Sequence, residues 1–395
     1  MSKSRKTSSK KSKQDSADSH SYKGFDKNPP QLKVWMNQGI QQLETGNYRK
    51  AIALFDKVIE VNSNDYEAWA SRGAAFYHLG RSEEALASYD KAIEIKPDNY
   101  DAWNYQGIAL SELGKLEEAL ASYNKAIEIN PDEYLAWINR SIALSELGKL
   151  EEALASSNKA IEIQPNDYQV LNNHGAALYD LGKFEEALAS YDKAIEIQPN
   201  DSEVWSNRGA ALDNLGRFEE AIVAWDKSIE IQSDFYIAWY NRGIAAGKLV
   251  SYDPFLAFQS TIARKNPELN KRGYEGELIS YQEGLKHCPQ ETHPEGWGKL
   301  HQAIGNAHYE QARKVSHPRD YWKEAANSYN QALKTLTATD FPELHLEVLK
   351  DLIRVRLDLK DIAKATELQR QGTDLLRRLR NECQSSAKKQ QLALK

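Results

Sequence analysis

Four prolines, Pro97, Pro131, Pro165 and Pro199, stand 34 residues apart, and that interval orders most of the 395-residue chain. The next two steps fall on Ser233 and Pro267, still in phase. Apolar anchors keep the same step (Trp35, Trp69, Trp103, Trp137, Leu171, Trp205, Trp239), and so do small residues (Gly39, Gly73, Gly107, Ser141, Gly175, Gly209, Gly243). Seven units follow without an insertion: 32–65, 66–99, 100–133, 134–167, 168–201, 202–235 and 236–269. A period of this length restricts the fold to one supersecondary unit stacked on copies of itself.

Each unit reads as two antiparallel helices. In Tyr66–Asn99, Trp69, Gly73 and Phe76 fall on one helical face, and Ala85, Tyr89 and Ala92 on another. His78-Leu79-Gly80-Arg81 breaks between them, with Gly80 suited to a left-handed cap, and Pro97 ends the second helix. Small Gly73 and Ala85 let the helices approach, while buried Trp69 and Tyr89 fill the remaining space.

This pattern of Trp, Gly, aromatic, Ala, aromatic, Ala and Pro resembles the tetratricopeptide repeat, most closely in 66–99, 100–133 and 168–201. The resemblance implies an all-α, right-handed α-solenoid of stacked helix pairs, serving as a non-enzymatic scaffold or adaptor. There are departures. Ser157 replaces the second-helix aromatic, Gln38- and Arg72-type residues stand where Leu is usual, and the seventh unit's second helix, 255–265, has lost its Ala spacing.

Beyond 269 the strict period lapses, but helical patterning continues to about Arg380. Glu277–His287 reads as a second helix with no first helix before it. Leu300–Gln311 and Ala325–Ala332 read as a pair with an enlarged turn, and Leu344–Leu359 and Ile362–Leu379 as a last pair. The segments 295–308, 341–349 and 369–376 resemble the helical region ahead of the CHAT domain in bacterial repeat–CHAT proteins. That implies, as an alternative function, the regulatory module of a caspase-like protease system without its catalytic domain. Residues 387–395 read as a helix cut short, and the chain ends at Lys395 before any CHAT domain.

Charge is distributed unevenly. The net charge is −6, yet residues 1–28 carry eight Lys/Arg against three Asp, and 376–395 carry six against Glu382. Each end is therefore +5 and the body −16, which repels a phosphate backbone. Nucleic acid or anionic lipid could then be met only through the basic, Ser-rich tail, 1–31, which is expected to be disordered; 381–395 form a second basic tail. No apolar run suits a membrane span, and the first residues lack a secretory apolar core. Two cysteines, Cys288 and Cys383, support neither a disulfide framework nor a thiolate zinc site, which points to a reducing cytoplasm.

No phosphate loop, dinucleotide fingerprint or nucleophile elbow is present, so no cofactor, metal site or catalytic residue is expected. His301 and His308 lie about 10.5 Å apart along a helix, too far for one ion, and His287 and Cys288 point apart at a helix end. The Asn139 sequon lies within a helix. The Glu-Glu pairs that open each second helix match the positive end of the helix dipole and imply no acidic site.

The informative series stands two residues after each anchor: Asn37, Ser71, Tyr105, Asn139, Asn173, Asn207 and Asn241. Two helical steps turn about 200°, away from the anchor. An Asn amide offers a donor and an acceptor, matching an extended peptide backbone. The peptide-binding arm of O-linked N-acetylglucosamine transferase carries a similar ladder. Asn139, Asn173, Asn207 and Asn241, with Asn37, are expected to hold a ligand backbone, and Asn104, Tyr105, Asn172 and Tyr240 to read its side chains. The neighbouring places carry no Lys or Arg, so the carboxylate clamp of chaperone-binding domains is not expected. The expected partner is a protein or an extended peptide.

Overall fold

A computed structural model describes residues 29–249 and 260–393, with side chains described for 30–249 and 260–381. The basic tail up to residue 28, residues 255–259 of the seventh unit's expected second helix, and the side chains of 382–395 lie outside the described residues. The chain is all-α among the described residues and forms two compact units divided after Ile129. Each is an α-solenoid of antiparallel helix pairs.

The first unit holds three pairs: α1 (Pro29–Glu44) with α2 (Tyr48–Val61), α3 (Tyr66–His78) with α4 (Ser82–Ile95), and α5 (Tyr100–Glu112) with α6 (Leu116–Ile129). The second opens with α7 (Tyr134–Glu146) and α8 (Leu150–Ile163), α9 (Tyr168–Asp180) and α10 (Phe184–Ile197), and α11 (Ser202–Asn214) and α12 (Phe218–Ile231). It continues through α13 (Tyr236–Lys248), α14 (Thr261–Lys265), α15 (Gly273–His287), α16 (Pro294–Ala312), α17 (Arg319–Ala332), α18 (Pro342–Asp358) and α19 (Ile362–Ala393).

Local chemistry sets the boundaries. The turn inside each of the first six pairs places a glycine, from Gly46 to Gly216, in the left-handed region, at φ 69–75° for all six. The last residue of four units caps the next first helix: Asp65 accepts from the Ala68 N–H at 3.0 Å and Asn99 from Ala102 at 2.9 Å, and Asp167 and Asp201 act alike, whereas Glu133 and Phe235 make no such bond. The Glu-Glu pairs occupy the first turns of α4, α6, α8, α10 and α12.

Pairs lock by a ring lying over a missing Cβ. Tyr89, Tyr123, Tyr191 and Trp225 from the second helices cover Gly73, Gly107, Gly175 and Gly209, where a methyl group would lie 2.4–2.7 Å from the ring. In 134–167 the pair becomes Ser141 with Ser157, and the Ser141 hydroxyl donates to the Ala153 carbonyl at 2.7 Å. The anchor tryptophans do something different from the expected filling of the core. Trp69, Trp103, Trp137 and Trp205 are only half-buried. Their indole N–H groups donate to Ser63, Pro97, Pro131 and Pro199 carbonyls at 2.9 Å, tying each first helix to the turn before it.

The polar residues that displace Leu stitch neighbouring pairs together. Arg72 bonds Asp56 at 2.6 Å and Ser88 at 3.0 Å; Gln106 bonds Asp90 at 2.7 Å and Ser122 at 2.6 Å. In the second unit His174 bridges Asn158 and Ser190 at 3.0 Å each. Arg242, 1% exposed, pairs with equally buried Asp226 at 2.6 Å and also donates to Ser280 and to the Leu269 carbonyl.

The seventh pair differs from the sequence expectation. The described remainder of 255–265 is the single turn α14, which packs on α12. The helix packed against α13 is α15, whose Tyr281 covers Gly243 as Tyr89 covers Gly73. The partner of Glu277–His287 is thus α13, reached across residues 249–272 in place of a three-residue turn such as 79–81. The next step of the turn-glycine series is Val250, a β-branched residue that the left-handed region disfavours. The pairs α16 with α17 and α18 with α19 then follow the sequence pattern, with Tyr329 over Gly305.

Candidate functional site

In the first unit the first helices surround a cavity of about 630 Å³. Helix α1 contributes Met36, Ile40 and Leu43, α3 contributes Ala70, Ala74 and Tyr77, and α5 contributes Tyr105 and Ile108. These are the fifth, sixth, ninth and twelfth places of successive units, which helical geometry puts on one face. Large side chains occupy the second-helix side of the pairs, so on this face α1, α3 and α5 leave apolar atoms open to solvent. Tyr105 is 45% exposed and stacks on buried Tyr89 with centroids 5.9 Å apart. Glu67 and Asp101, at the second place of their units, add carboxylates to the lining. The Tyr66 hydroxyl donates to Glu67 at 2.9 Å and accepts from Lys96 at 3.2 Å. Tyr77 donates to Glu112 at 3.4 Å, and burial together with that carboxylate holds its phenol above the ordinary range.

The asparagine series is brought partly to this kind of face. Ser71 and Tyr105 line the cavity; Asn37 is exposed on α1 outside its lining, and Asn104 is buried at 5% exposure. In the second unit Asn139, Asn173, Asn207 and Asn241 are half-buried at one helical register. Asn173 donates to its own helix at the Gln169 carbonyl, 2.8 Å, and Asn207 donates to Asn172 at 3.0 Å. Those two amides already have partners within the stack. Tyr240 stacks on Tyr281 at 6.1 Å, and burial raises its phenol.

Sequence reasoning missed the apolar part of the face. Ile40, Ile142, Leu135 and Ile237, at second and ninth places, are exposed large hydrophobics. Their recurrence at positions the core does not use was the available signal. It also missed side-chain bonds between first helices of adjacent pairs, Asn214 to Tyr179 at 2.8 Å and Lys248 to Asp213 at 2.6 Å.

The histidines and Cys288 take structural places. His287 stacks parallel on Trp239, while buried Cys288 donates to the Asp234 carbonyl at 3.3 Å. Burial and Asp234 push the Cys288 thiol up to about 11, opposite to what a nucleophile needs. His301 stands edge-on to Trp297, and His308 shares a 2.8 Å bond with Tyr274. Among the described residues no cluster of three or more His, Cys, Asp or Glu could hold a metal, and no helix is long and apolar enough to cross a membrane.

Family models described as "Tetratricopeptide repeat" match residues 36–100, 100–133, 122–155 and 202–235, and one described as "TPR repeat" matches 175–216. The chain is a tetratricopeptide-repeat protein. The matched stretches end at 235, so the later repeat-like pairs of this tetratricopeptide-repeat protein rest on the structure. No match supports the resemblance of 295–376 to the region ahead of a CHAT domain.

Among solved structures, the thermophilic tetratricopeptide protein TTC0263 of Thermus thermophilus is 24% identical, over 46% of this chain and 98% of its own, with a TM-score of 0.41. YrrB, titled a TPR protein with an unusual peptide-binding site, is 26% identical over 47% and 95%, with a TM-score of 0.38. The Pseudomonas aeruginosa pilF protein is 17% identical over 52% and 94%, with a TM-score of 0.46. No curated protein sequence matches the chain.

Proposed function

We propose that this tetratricopeptide-repeat protein is a non-enzymatic interaction scaffold that takes an extended peptide, or an extended segment of a partner protein, against its first-helix face. One observation carries the reading: the apolar cavity of about 630 Å³ between α1, α3 and α5, where ordered aromatic and aliphatic side chains stand open instead of being packed. An exposed apolar surface with a polar border is the composition of a recognition site. Tyr77 and Tyr105 would be the anchors, because each is held by a contact that fixes its ring. In the second unit, Asn139, Asn173 and Asn207 would exchange contacts within the stack for bonds to a peptide backbone, joined by Asn241, with Asn172 and Tyr240 beside them. Asn37 would meet the ligand only at the end of the first-unit face.

Peptides selected from a random display library on the full chain test the reading. A selected peptide is expected to lose about tenfold in affinity on Tyr105→Ala, a hot-spot effect of about 1.4 kcal/mol, with the circular dichroism unchanged. Equal affinity for the wild type, Tyr105→Ala and Tyr77→Ala would remove the first-unit face from the function. A loss instead on Asn139→Ala/Asn241→Ala would move the site to the second unit.

A further inference from the structure

We infer that the outer face of the α18–α19 pair is a docking surface for an acidic amphipathic helix of a partner protein. Val348, Leu352 and Val355 bury one side of α18 in the cluster around Tyr329 of the pair before it. Leu346, Ile353 and Leu357 stand roughly half a turn round the helix from them, and so face away from that pair. Leu346 and Ile353, with Leu349 beside them and Gly372 and Leu376 on α19, line an open groove of about 650 Å³. Leu376 is 58% exposed, and Leu357 and Ile362 carry the apolar strip onward at 45% and 58%. Among the described residues after 237 these three are the exposed large hydrophobics, and all lie on this pair.

The stack itself indicates what shape fits. Each earlier pair of the second unit packs its second helix on the first helix of the pair that follows. Among the described residues α19 packs mainly on α18, and no helix lies over the outer side of the pair. The groove thus repeats the interface by which the solenoid grows, and a helix is what that interface receives. Gly372 supports the same reading. Glycine inside a helix weakens it, and no packed neighbour demands one here, since a Cβ would meet only Leu349 and Leu346, at 3.8 and 3.9 Å. Gly305, by contrast, lies under the Tyr329 ring. From Leu346 to Leu357 the strip runs about 16.5 Å, or three turns of a docked helix.

Charge selects the partner. Lys350 is the one charged side chain in the lining. Lys350 and Arg380, which continues the α19 strip one turn beyond Leu376, have no ion-pair partner among the described residues. Arg354 and Arg377 flank the face, paired with Asp351 at 2.7 Å and Asp374 at 3.0 Å on their own helices. Against these cations stand Glu343 and Glu347, the latter 3.8 Å from Lys299. The face is therefore net positive, which favours carboxylates along the borders of an incoming helix and opposes a second copy presenting the same cations.

The test uses the full chain and two fluorescein-labelled helical peptides of about four turns. Both carry Leu at i, i+4, i+7 and i+11, and the bordering positions are Glu in one and Lys in the other. Fluorescence anisotropy is expected to show the Glu peptide binding about tenfold more tightly than the Lys peptide, and Lys350→Glu/Arg380→Glu to reverse that order. Gly372→Leu fills the groove with a better helix former, so it is expected to weaken the Glu peptide by about tenfold with no fall in melting temperature. Tyr105→Ala is expected to leave this binding unchanged, which separates the surface from the first-unit face.

Failure of the Glu peptide to bind, equal or tighter binding of the Lys peptide, or full binding by Gly372→Leu would overturn the inference. So would loss of binding on Tyr105→Ala. Sedimentation velocity showing a wild-type dimer that Gly372→Leu returns to monomer would assign the face to a second copy and overturn it as well.

Discussion

A single methyl group at Gly107 would lie 2.4 Å from the Tyr123 ring, closer than packed atoms come. Gly107→Ala is therefore expected to destabilise the first unit by about 1–3 kcal/mol, the usual effect of overfilling a packed core, seen as a lower urea midpoint. The molecule carries its own control in Ser141 and Ser157, where both members of the lock have changed together and the smaller hydroxyl has found a carbonyl. Gly107→Ser combined with Tyr123→Ser should accordingly be less damaging than the sum of the two single changes, a coupling that a double-mutant cycle reads directly. From the sequence, Ser157 looked like a defect. The compensation was legible only by setting it beside Ser141, sixteen residues earlier.

At the level of helices, period and composition were enough for the first six pairs, because most boundaries are written in residue types with one physical use: glycine at positive φ in all six turns, Asp or Asn at four of the caps, and proline after four of the second helices. They were not enough for the seventh. Pro267 falls in phase but opens a short 3-10 turn, and the true partner of α13 comes later in the chain. The loss of glycine at position 250 was the missed clue. Nor could spacing reveal which polar residues bind across pairs, since Arg72 and Arg242 occupy equivalent places yet only Arg242 is wholly buried. Arg242→Met alone leaves Asp226 as an uncompensated buried charge and is expected to cost about 3–5 kcal/mol. Adding Asp226→Leu should restore most of that loss, because two apolar groups need no partners. If thermal melts show the double variant as weak as the single, the pair is held by Ser280 and Leu269 more than by charge.

At the scale of the molecule, three imidazoles among the described residues couple acid to stability. Burial lowers the pKa of His174 and His308, and takes His301 down to about 4. An unfolded chain protonates His301 near 6.5, whereas the folded chain does so only near 4. Stability is thus unaffected by this residue above 6.5 and falls as pH drops from 6.5 towards 4, by up to about 3 kcal/mol at 1.36 kcal/mol per unit. Denaturant midpoints at pH 7.5, 5.5 and 4.5 should show that fall, and His301→Gln should flatten it. Of the residues lining the first-unit cavity, Ser71 and Tyr105 stood in the register two places after the anchors; the apolar floor was not legible, since an exposed Ile in a helix reads the same as a buried one until the pairs are assembled.

The route from α13 to α15 also says where this chain tolerates extra sequence. In the first six pairs the two helices are joined by three residues, and there an added loop would have to leave and return through a tight turn. Between Lys248 and Gly273 the pair closes by the meeting of Tyr281 with Gly243, but from Ser260 onward the connection is part of the stack: α14 packs on α12, Ala263 and Leu269 are buried, and the Leu269 carbonyl holds Arg242. A foreign module would have to enter before Ser260 to spare those contacts, and there closure entropy, growing only with the logarithm of length, would add about 0.6 kcal/mol for a doubled path.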